Sequence, residues 1–420
     1  MSAERILATY LVETPGEIER VAEQLVGEQA VGRRDRGHDG RELAPEFRGA
    51  VVAIRPLEPG GAPTLTGPYE GRTGEWQRAE VDLSIPLAVT GADLLNVVAT
   101  LLGNVFELRE ASGLRLLDFS VPDGLARTLP GPSFGVAGTR ATAGVRGRPL
   151  IGSIVKPSVG LTPRETAELV REMGLAGIDF VKDDELMAGP RSSPVSVRVR
   201  EVQRAVDEVA QQTGRKPLFA YNVSSDDPDT MRRNVDAVVE AGGTCAMVSL
   251  NQVGLGAFME LRRRCPVPIH GHRNGWGLLT RSPGLGMDFR AYRKIWGLAG
   301  ADQLHCNGFS NKFFESDESV ARSIEACLED VANGQVLPVL SSGQWGGQAP
   351  ATYARTRTTD LLYLAGGGIQ GHPGGLAAGV SAIRAAWEGA VAGETLEQTA
   401  RAHPALAQSI ETFGGRVGSA

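Results

Sequence analysis

The stretch Gly177-Ile178-Asp179-Phe180-Val181-Lys182-Asp183-Asp184-Glu185 is a short apolar run that ends in one lysine and three carboxylates. If the run is a strand, its alternation points Lys182 and Asp184 to the same side and brings Glu185 to the mouth of the strand. A divalent cation such as Mg²⁺ prefers oxygen ligands, and an ammonium group supplies none. Lys182 therefore either pairs with the acids or is converted by CO₂ to a carbamate, which is an anionic oxygen donor.

Similar apolar runs alternate with amphipathic stretches through the rest of the chain. The strand candidates end near Val155, Val181, Asn222, Leu250, Gly271, His305, Ser341 and Leu364. Helix starts lie between them, as at Thr162-Pro163-Arg164-Glu165, which has the pattern of a capping box with proline at the first helical position. Eight strands with intervening helices predict an α/β fold of the (β/α)₈ TIM-barrel type.

A smaller domain is expected ahead of the barrel. Gly, Pro and Arg become frequent between Leu129 and Pro149, which predicts a domain boundary. Before that boundary, strand-like and helix-like pieces are mixed, as in an α+β domain, and we expect the ferredoxin-like type. The strand-like pieces are 6–12, 50–54 and 79–85, and the helix-like pieces are 15–26 and 92–102. We predict an N-terminal domain of residues 1–135 and a catalytic barrel of residues 136–420.

The composition is that of an ordinary soluble globular protein, with 42% hydrophobic and 22% charged residues in 420. The net charge of -6 gives no general attraction to nucleic acid or to an anionic membrane, so an anionic ligand needs local cations. No segment approaches the roughly 20 apolar residues of a membrane span, and the start of the chain lacks the features of a signal peptide. The four cysteines have no close spacing typical of a zinc cluster or a disulfide framework. We expect a cytoplasmic protein.

Polar residues stand where the predicted strands end, and catalytic groups of such barrels lie at that end. In strand order they are Lys156; Lys182, Asp184 and Glu185; Asn222; Asn251; His272 and Arg273; His305; Ser341 and Ser342; and Gly366-Gly367-Gly368. A random scatter would not produce this alignment. We therefore expect one functional site at the mouth of the barrel.

Taken singly, some of these residues have a structural interpretation as well as a chemical one. The lysine-carboxylate run is equally consistent with a buried ion-pair network. His270 and His272 share a strand face and could bind zinc, but no third ligand is near in sequence. Arg273 with His305 is better suited to hold a phosphate, because arginine grips phosphate in a forked geometry.

Three further features have open interpretations. Lys156 is either a surface lysine or a proton donor facing a metal. Lys312 lies in a glycine-hinged loop with two aromatic residues, and is either an exposed loop lysine or part of a lid that closes on substrate. The glycines at 366–368 are either a plain turn or a place where backbone N–H groups approach a phosphate.

In this order, the motifs resemble the ribulose-bisphosphate carboxylase superfamily, and within it the RuBisCO-like proteins of form IV. The resemblance covers most of the chain. The motifs that carry it are Gly103-Asn104-Val105-Phe106, Gly147-Arg148-Pro149-Leu150-Ile151-Gly152, Val155-Lys156-Pro157, the stretch 177–185, His272-Arg273, His305 with Lys312 seven residues on, Pro338-Val339-Leu340-Ser341, and Gly366-Gly367-Gly368 with Gly371-His372-Pro373.

The resemblance implies a Mg²⁺ site that contains CO₂ as a lysine carbamate. It implies that Lys182 is the carbamylated lysine and that Asp184 and Glu185 complete the metal ligands. The residues that match phosphate-binding positions are Arg273, His305, Gly366 and Gly367. The residues that match proton-handling or substrate-gripping positions are Lys156, His272, Lys312 and Ser341. Glu28 and Asn104 match residues that complete the site of a neighbouring subunit, which implies a homodimer or a multiple of dimers.

The chain departs from the carboxylases at several positions. Lys156-Pro157-Ser158 stands where they have Lys-Pro-Lys, Trp276 replaces a histidine, and Ser342 replaces a glycine. Arg33 and Arg34 lie in the stretch aligned with a Thr-Trp pair. We therefore do not expect CO₂ fixation on ribulose bisphosphate, and a ligand with one phosphate and a carboxylate suits the changed pocket.

The retained parts suit metal-assisted carbonyl chemistry, in which a ketone is polarised and a proton is moved through an enediolate. We expect cleavage of a C–C bond, most simply decarboxylation, in a phosphorylated oxo sugar acid such as 3-oxo-isoapionate 4-phosphate. One alternative is a methionine-salvage enolase or isomerase of a methylthio-sugar phosphate, although such enolases carry a lysine base where this chain has Asn104. Others are a non-catalytic sugar-phosphate-binding regulator and a Schiff-base aldolase that uses Lys156 or Lys182.

Overall fold

The structure, a computed structural model, describes residues 4–30, 41, 44–65, 67–69, 71–331 and 334–416. It divides into two compact units. The first comprises Met1–Leu129 and Gly275–Leu298, and the second comprises Pro130–Asn274 and Ala299–Ala420. The limits of 1–135 and 136–420 that the sequence suggests for functional domains stay a prediction.

The strands in chain order are β1 (Arg5–Thr14), β2 (Ala50–Gly60), β3 (Trp76–Pro86), β4 (Gly113–Ser120), β5 (Leu150–Ile154), β6 (Phe180–Lys182), β7 (Leu218–Asn222), β8 (Cys245–Ser249), β9 (Ile269–His272), β10 (Leu285–Met287), β11 (Gln303–Asn307), β12 (Leu337–Ser341) and β13 (Leu362–Leu364). The helices in chain order are α1 (Ile18–Gln29), α2 (Leu87–Thr90), α3 (Leu94–Leu102), α4 (Asp123–Ala126), α5 (Gly135–Ala143), α6 (Pro163–Leu175), α7 (Val195–Thr213), α8 (Pro228–Glu240), α9 (Leu250–Val253), α10 (Leu255–Arg264), α11 (Trp276–Thr280), α12 (Phe289–Ala299), α13 (Asp317–Leu328), α14 (Ala349–Thr356), α15 (Gly367–Gln370), α16 (Gly375–Ala392), α17 (Leu396–Ala402) and α18 (Pro404–Phe413). Short 3-10 helices lie at Pro45–Phe47, Gly67–Tyr69, Asn104–Glu107, Gly346–Gln348 and Gly414–Arg416.

The first unit is built on a five-stranded mixed sheet with the spatial order β10-β4-β1-β3-β2. β1 pairs antiparallel with β3 and β4, β3 pairs antiparallel with β2, and β10 runs parallel to β4. Strands β1 to β4 with α1 and α3 follow the βαββαβ plan of a ferredoxin-like unit. Alternate residues of β1 are buried and α1 packs on β1, β2 and β3. The expected α+β architecture is confirmed.

The second unit is a closed barrel of eight parallel strands, in the order β5-β6-β7-β8-β9-β11-β12-β13. Its strands are almost wholly buried, as expected when helices cover the outer face of a parallel sheet. Apolar side chains on the barrel strands, among them Phe180, Met247, Val339 and Leu362, form one continuous cluster. The TIM-barrel prediction is confirmed, and the predicted strand ends lie within two residues of the observed ones.

The first barrel helix begins as its sequence predicts. The backbone N–H of Glu165 donates to the Thr162 hydroxyl at 3.3 Å, and the Glu165 carboxylate accepts from the backbone N–H of Thr162 at 2.8 Å. Each partner satisfies an N–H that the first turn of a helix leaves without a partner. Over the described residues, the helices are too short or too polar to cross a membrane.

Candidate active site

The predicted site residues of the second unit lie at the carboxyl ends of parallel strands. Lys182, His272 and Ser341 are the last residues of β6, β9 and β12, and His305 lies in β11. Lys156 follows β5 by two residues. Because all eight strands of the closed barrel are parallel, their carboxyl ends share one rim.

Lys182 is buried among carboxylates. Its side chain is 1% exposed, and its Nζ donates to the backbone oxygen of Asp183 at 2.9 Å and lies 3.7 Å from Oε2 of Glu185. Burial lowers the pKa of Lys182 even though three neighbouring carboxylates favour its charged form. A lowered pKa increases the share of the neutral amine, which is the form that reacts with CO₂.

Asp184 is held in its charged form by two donors. Lys156 Nζ lies 2.7 Å from Oδ2 of Asp184, and the backbone N–H of Leu186 donates to Oδ1 at 3.1 Å. Burial opposes ionisation of Asp184, but these hydrogen bonds and the charges of Lys156 and Lys182 lower its pKa overall. Lys156 itself is about half exposed, with 47% of its side chain accessible, so it lies at the entrance of the site.

Glu185 lies between Lys182 and His272. Its Oε2 is 3.4 Å from Nε2 of His272, and its side chain is one-third exposed. Nδ1 of His272 lies 3.2 Å from the backbone nitrogen of Asn274 and 3.3 Å from its side-chain Oδ1. Burial, with the nearby charge of Lys182, lowers the pKa of His272 to about 3. The His272 ring is therefore neutral at physiological pH.

The donor set fits a magnesium ion only if Lys182 is modified. Among the residues that the structure describes, no group of three or more His, Cys, Asp or Glu side chains could hold a metal. Asp184 and Glu185 provide two carboxylates, which is few for a hard cation that takes oxygen ligands. A carbamate on the buried Lys182 amine would add a third anionic oxygen donor next to them.

Asp183 faces away from this donor set and has a structural partner. It forms a fully buried ion pair with Arg198, whose Nη2 and Nε lie 3.0 and 3.1 Å from Oδ2. Nδ2 of Asn222 donates to the backbone oxygens of Asp184 and Glu185, both at 3.2 Å. These contacts fix the backbone that carries the two carboxylates. The polar strand end at Asn222 was visible in the sequence, whereas Arg198, inside a helix, was not singled out.

A cluster of neutral histidines lies beside the lysine. The His272 ring is 4.4 Å from that of His305 and 6.4 Å from that of His270, measured between centroids. Burial lowers the pKa of His270 and of His305 well below the ordinary value. Nε2 of His305 is 2.8 Å from the Ser341 hydroxyl. In the described part of the chain the histidines have no third metal-ligating neighbour, so the zinc alternative gains no support.

Arg273 has a partner that the sequence analysis missed. Its Nη2 lies 3.1 Å from Oε2 of Glu315, and both side chains are nearly buried, at 4% and 6% exposed. The same Glu315 oxygen accepts from Nδ2 of Asn307 at 2.7 Å. Ser342, next to Ser341, donates its hydroxyl to Oδ1 of Asn307 at 2.7 Å and has a backbone φ of 76°. Such a φ favours glycine, so Ser342 stands where the backbone is strained for a residue with a side chain.

The Lys312 loop is open to solvent. Lys312 is exposed, its Nζ lies 5.3 Å from the centre of the Phe313 ring, and its backbone N–H donates to the oxygen of Ser342 at 3.3 Å. Phe313 and Phe314 are 55% and 48% exposed. The lid role of Lys312 stays a prediction.

The glycine motif lies at the start of a short helix, since Gly366 precedes α15 and Gly367 begins it. The first N–H groups of a helix have no partner within it. Their role in phosphate binding stays a prediction.

The remaining predicted residues belong to the first unit. Glu28 near the end of α1 and Asn104 at the start of a 3-10 helix are both exposed. Trp276 is 6% exposed and stacks in a tilted arrangement with Tyr292 at 4.8 Å. Arg33 and Arg34 lie outside the described residues. The contribution of Glu28 and Asn104 to a site stays a prediction.

Known proteins resemble this chain over nearly its full length. A family model described as ribulose bisphosphate carboxylase large chain, catalytic domain, matches residues 135–413. The 3-oxo-isoapionate-4-phosphate decarboxylase of Rhizobium etli is 46% identical over 419 residues, which cover 99% of this chain and 100% of that protein. The 3-oxo-isoapionate-4-phosphate transcarboxylase/hydrolase of Xanthobacter autotrophicus is 45% identical over 412 residues, 97% of this chain and 99% of that protein. The crystal structure of a rubisco-like protein from Burkholderia fungorum matches with a TM-score of 0.91 and 42% identity, over 97% of this chain and 100% of that one.

Proposed function

Because the chain belongs to the ribulose bisphosphate carboxylase large-chain family, we propose that it is a Mg²⁺-dependent enzyme that decarboxylates a phosphorylated oxo sugar acid of the 3-oxo-isoapionate 4-phosphate type. The observation that carries the proposal is the buried amine of Lys182, whose pKa is lowered, beside the carboxylates of Asp184 and Glu185. That arrangement suits a metal site that forms when CO₂ adds to the Lys182 amine.

The metal site is proposed to consist of the carbamate of Lys182 with Asp184 and Glu185. A cation held there would supply electron withdrawal from the ketone of the ligand. Asp184 is already charged, since Lys156 and a backbone N–H lower its pKa, and Glu185 is one-third exposed and faces the entrance. These properties support a site that is preformed except for the modification of the lysine.

The substrate would be held by its phosphate and its oxo acid. We propose that Arg273 and His305 bind the phosphate, with Gly366 and Gly367 as a second anion-binding corner. Arg273 lies next to β9 and His305 lies in β11, and these strands are neighbours in the barrel. His305 is neutral and contacts the Ser341 hydroxyl, so the His305 ring and the Ser341 hydroxyl would bind the phosphate through hydrogen bonds rather than through charge.

In the proposed reaction the bond between the carboxyl carbon and its α-carbon breaks. Its electron pair delocalises onto the adjacent ketone as an enolate, CO₂ leaves, and a proton is then added at the α-carbon. Lys156, half exposed at the entrance and paired with Asp184 at 2.7 Å, is proposed as the group that supplies this proton. His272, which is neutral, is proposed to carry its proton on Nε2 during the reaction and to donate a hydrogen bond to the enolate oxygen or to Glu185. Lys312 would close over the ligand and exclude water.

We also propose a homodimer or a multiple of dimers in the cytoplasm. Apolar side chains are exposed on loops that follow barrel strands of the second unit: Val159 (54%), Leu186 (65%), Phe313 (55%) and Phe314 (48%). Exposed apolar side chains grouped at one rim are typical of a surface that is covered by a partner. The exposed Glu28 and Asn104 are available to a neighbouring subunit. All four cysteines are thiols, which suits a reducing compartment.

The experiment is an assay of CO₂ or bicarbonate release from 3-oxo-isoapionate 4-phosphate, with Mg²⁺ and after its removal by EDTA. We expect release that requires Mg²⁺, is lost in Lys182→Ala, and is unchanged in Lys216→Ala, an exposed lysine paired with Asp207. Proton exchange or aldose-ketose interconversion without CO₂ release would favour the methionine-salvage alternative.

Two further results would reject the proposal. Phosphate-ligand binding without turnover on a panel of phosphorylated sugar acids would favour a regulator. Covalent trapping of substrate by borohydride, lost in Lys156→Ala or Lys182→Ala, would favour a Schiff-base aldolase.

A further inference from the structure

Glu315 is a nearly buried carboxylate with donors on both oxygens. Oε2 accepts from Arg273 Nη2 at 3.1 Å and from Asn307 Nδ2 at 2.7 Å. Oε1 accepts from the Ser319 hydroxyl at 3.0 Å, and the Ser323 hydroxyl, which donates to the Ser319 backbone oxygen at 2.9 Å, lies 3.4 Å from it. A carboxylate with at least three donors, from Arg273, Asn307 and Ser319, is held in one orientation, so it is a rigid acceptor for the arginine.

These contacts join residues from neighbouring parts of the barrel. Arg273 directly follows β9, Asn307 ends β11, and Glu315 lies on the loop between β11 and α13. Ser319 belongs to α13, so Glu315 is anchored on a helix while it contacts the arginine. A guanidinium carries its donors in a fixed plane, so an acceptor that holds one nitrogen sets the direction of the others.

We propose that Glu315 is a positioning residue that orients Arg273 toward the phosphate of the substrate. The inference rests on the proposed function, in which Arg273 binds that phosphate. Glu315 itself carries a negative charge, which opposes binding of an anion nearby. If Glu315 acts by orienting Arg273, its replacement should weaken phosphate binding. If it acts only through its negative charge, its replacement should strengthen phosphate binding.

The test is the affinity of the full-length protein for inorganic phosphate, measured by isothermal titration calorimetry. Glu315→Ala removes the acceptor, and we expect the dissociation constant to rise by about tenfold, the loss expected for one charge-assisted hydrogen bond. Glu315→Gln keeps an oxygen toward Arg273 and an amide toward the serine hydroxyls, and we expect affinity at least equal to that of the wild type. Glu318→Ala removes an exposed carboxylate from the first turn of α13, three residues after Glu315; it is the matched control and should bind as the wild type does.

The outcomes distinguish a failure of the positioning role from a failure of the proposed phosphate site. If both Glu315→Ala and Glu315→Gln bind phosphate more tightly, Glu315 acts through charge alone and the positioning role is wrong. If the wild type binds phosphate no better than Arg273→Ala, the proposed phosphate site is wrong and this inference with it, whereas CO₂ release from the sugar acid remains a separate readout. If Glu315→Ala does not fold, Glu315→Asp, whose carboxylate is one methylene shorter, should show the same loss.

Discussion

Replacement of Arg198 by methionine tests how the carboxylate-bearing loop is held. The side chain of Arg198 is fully buried and lies 3.0 and 3.1 Å from Oδ2 of Asp183 through Nη2 and Nε. It also donates to the backbone oxygens of Met187 at 2.8 Å and Ser193 at 2.6 Å. One arginine therefore ties three points of the segment that follows β6 to helix α7.

The expected loss of stability in Arg198→Met follows from the buried groups that lose their partner. Removing one partner of a buried ion pair costs about 3–5 kcal/mol, because the Asp183 carboxylate stays buried with the backbone N–H of Asn222 but without its cation. The backbone oxygens of Met187 and Ser193 also lose a donor, but they belong to the same hydrogen-bond network, so the losses are not simply additive. We expect the free energy of unfolding to fall by about 4 kcal/mol.

The assay is urea denaturation of the wild type and two variants of α7. Arg204→Met is the matched control, because Arg204 is on the same helix, is 66% exposed and pairs with Glu201 at 2.7 Å. An exposed pair contributes about 0–1 kcal/mol, so this variant should stay within that range. A double variant, Asp183→Asn with Arg198→Met, should recover part of the loss, because no charge is then buried alone. Equal stabilities of Arg198→Met and Arg204→Met would refute the reasoning.

Two further predictions concern local stability. Glu13 is a carboxylate in the first unit whose burial opposes ionisation, but hydrogen bonds from Thr64, Arg78 and Ser112 lower its pKa overall. The stability that Glu13 adds relative to Glu13→Gln is thus fully present above the unfolded-state pKa of about 4.3 and is lost as the pH falls through the lower folded-state pKa. The urea midpoints of the wild type and Glu13→Gln should therefore converge at acid pH. A difference in midpoint that stays constant with pH would contradict this. Ser342→Gly relieves the positive φ of 76° but loses the bond to Asn307, so its melting temperature should stay near that of the wild type, whereas Ser342→Ala keeps the strain and should lose about 1 kcal/mol. Equal stability of the Gly and Ala variants would show that the backbone there is not strained.

The barrel was predictable from sequence because its strands are buried on both faces. Such strands are short continuous apolar runs, as at 218–222 and 245–249, and each ends in a polar residue at the rim. The capping box at Thr162 and Glu165 was predictable because it depends on residues only three apart.

Two strands of the first unit, β4 and β10, were not predicted from the sequence. β4 was not singled out as a strand, and β10 is only three residues long and pairs with β4 from a segment more than 160 residues away. A three-residue strand has no periodicity to recognise, and its existence depends on the sheet edge that it meets. Nothing local in the sequence indicates that pairing.

The clustering of strand-end residues at the candidate site was predictable, whereas the buried partners of these residues were not. Lys182, Asp184 and Glu185 form one run, and the structure places them together. Arg198 and Glu315 look like ordinary helix and loop charges in the sequence, because burial and partner choice decide their roles. A charged residue that proves fully buried needs a specific partner, and only the fold supplies that partner.

The central claim is that CO₂ adds to the buried amine of Lys182. The direct measurement is ¹³C NMR of the protein equilibrated with ¹³C-bicarbonate and Mg²⁺, compared with Lys182→Met and with Lys216→Met. We predict a carbamate resonance in the wild type and in Lys216→Met that is absent in Lys182→Met and weakens when EDTA removes the metal. A wild-type spectrum without that resonance, or one that Lys182→Met leaves unchanged, would contradict the account.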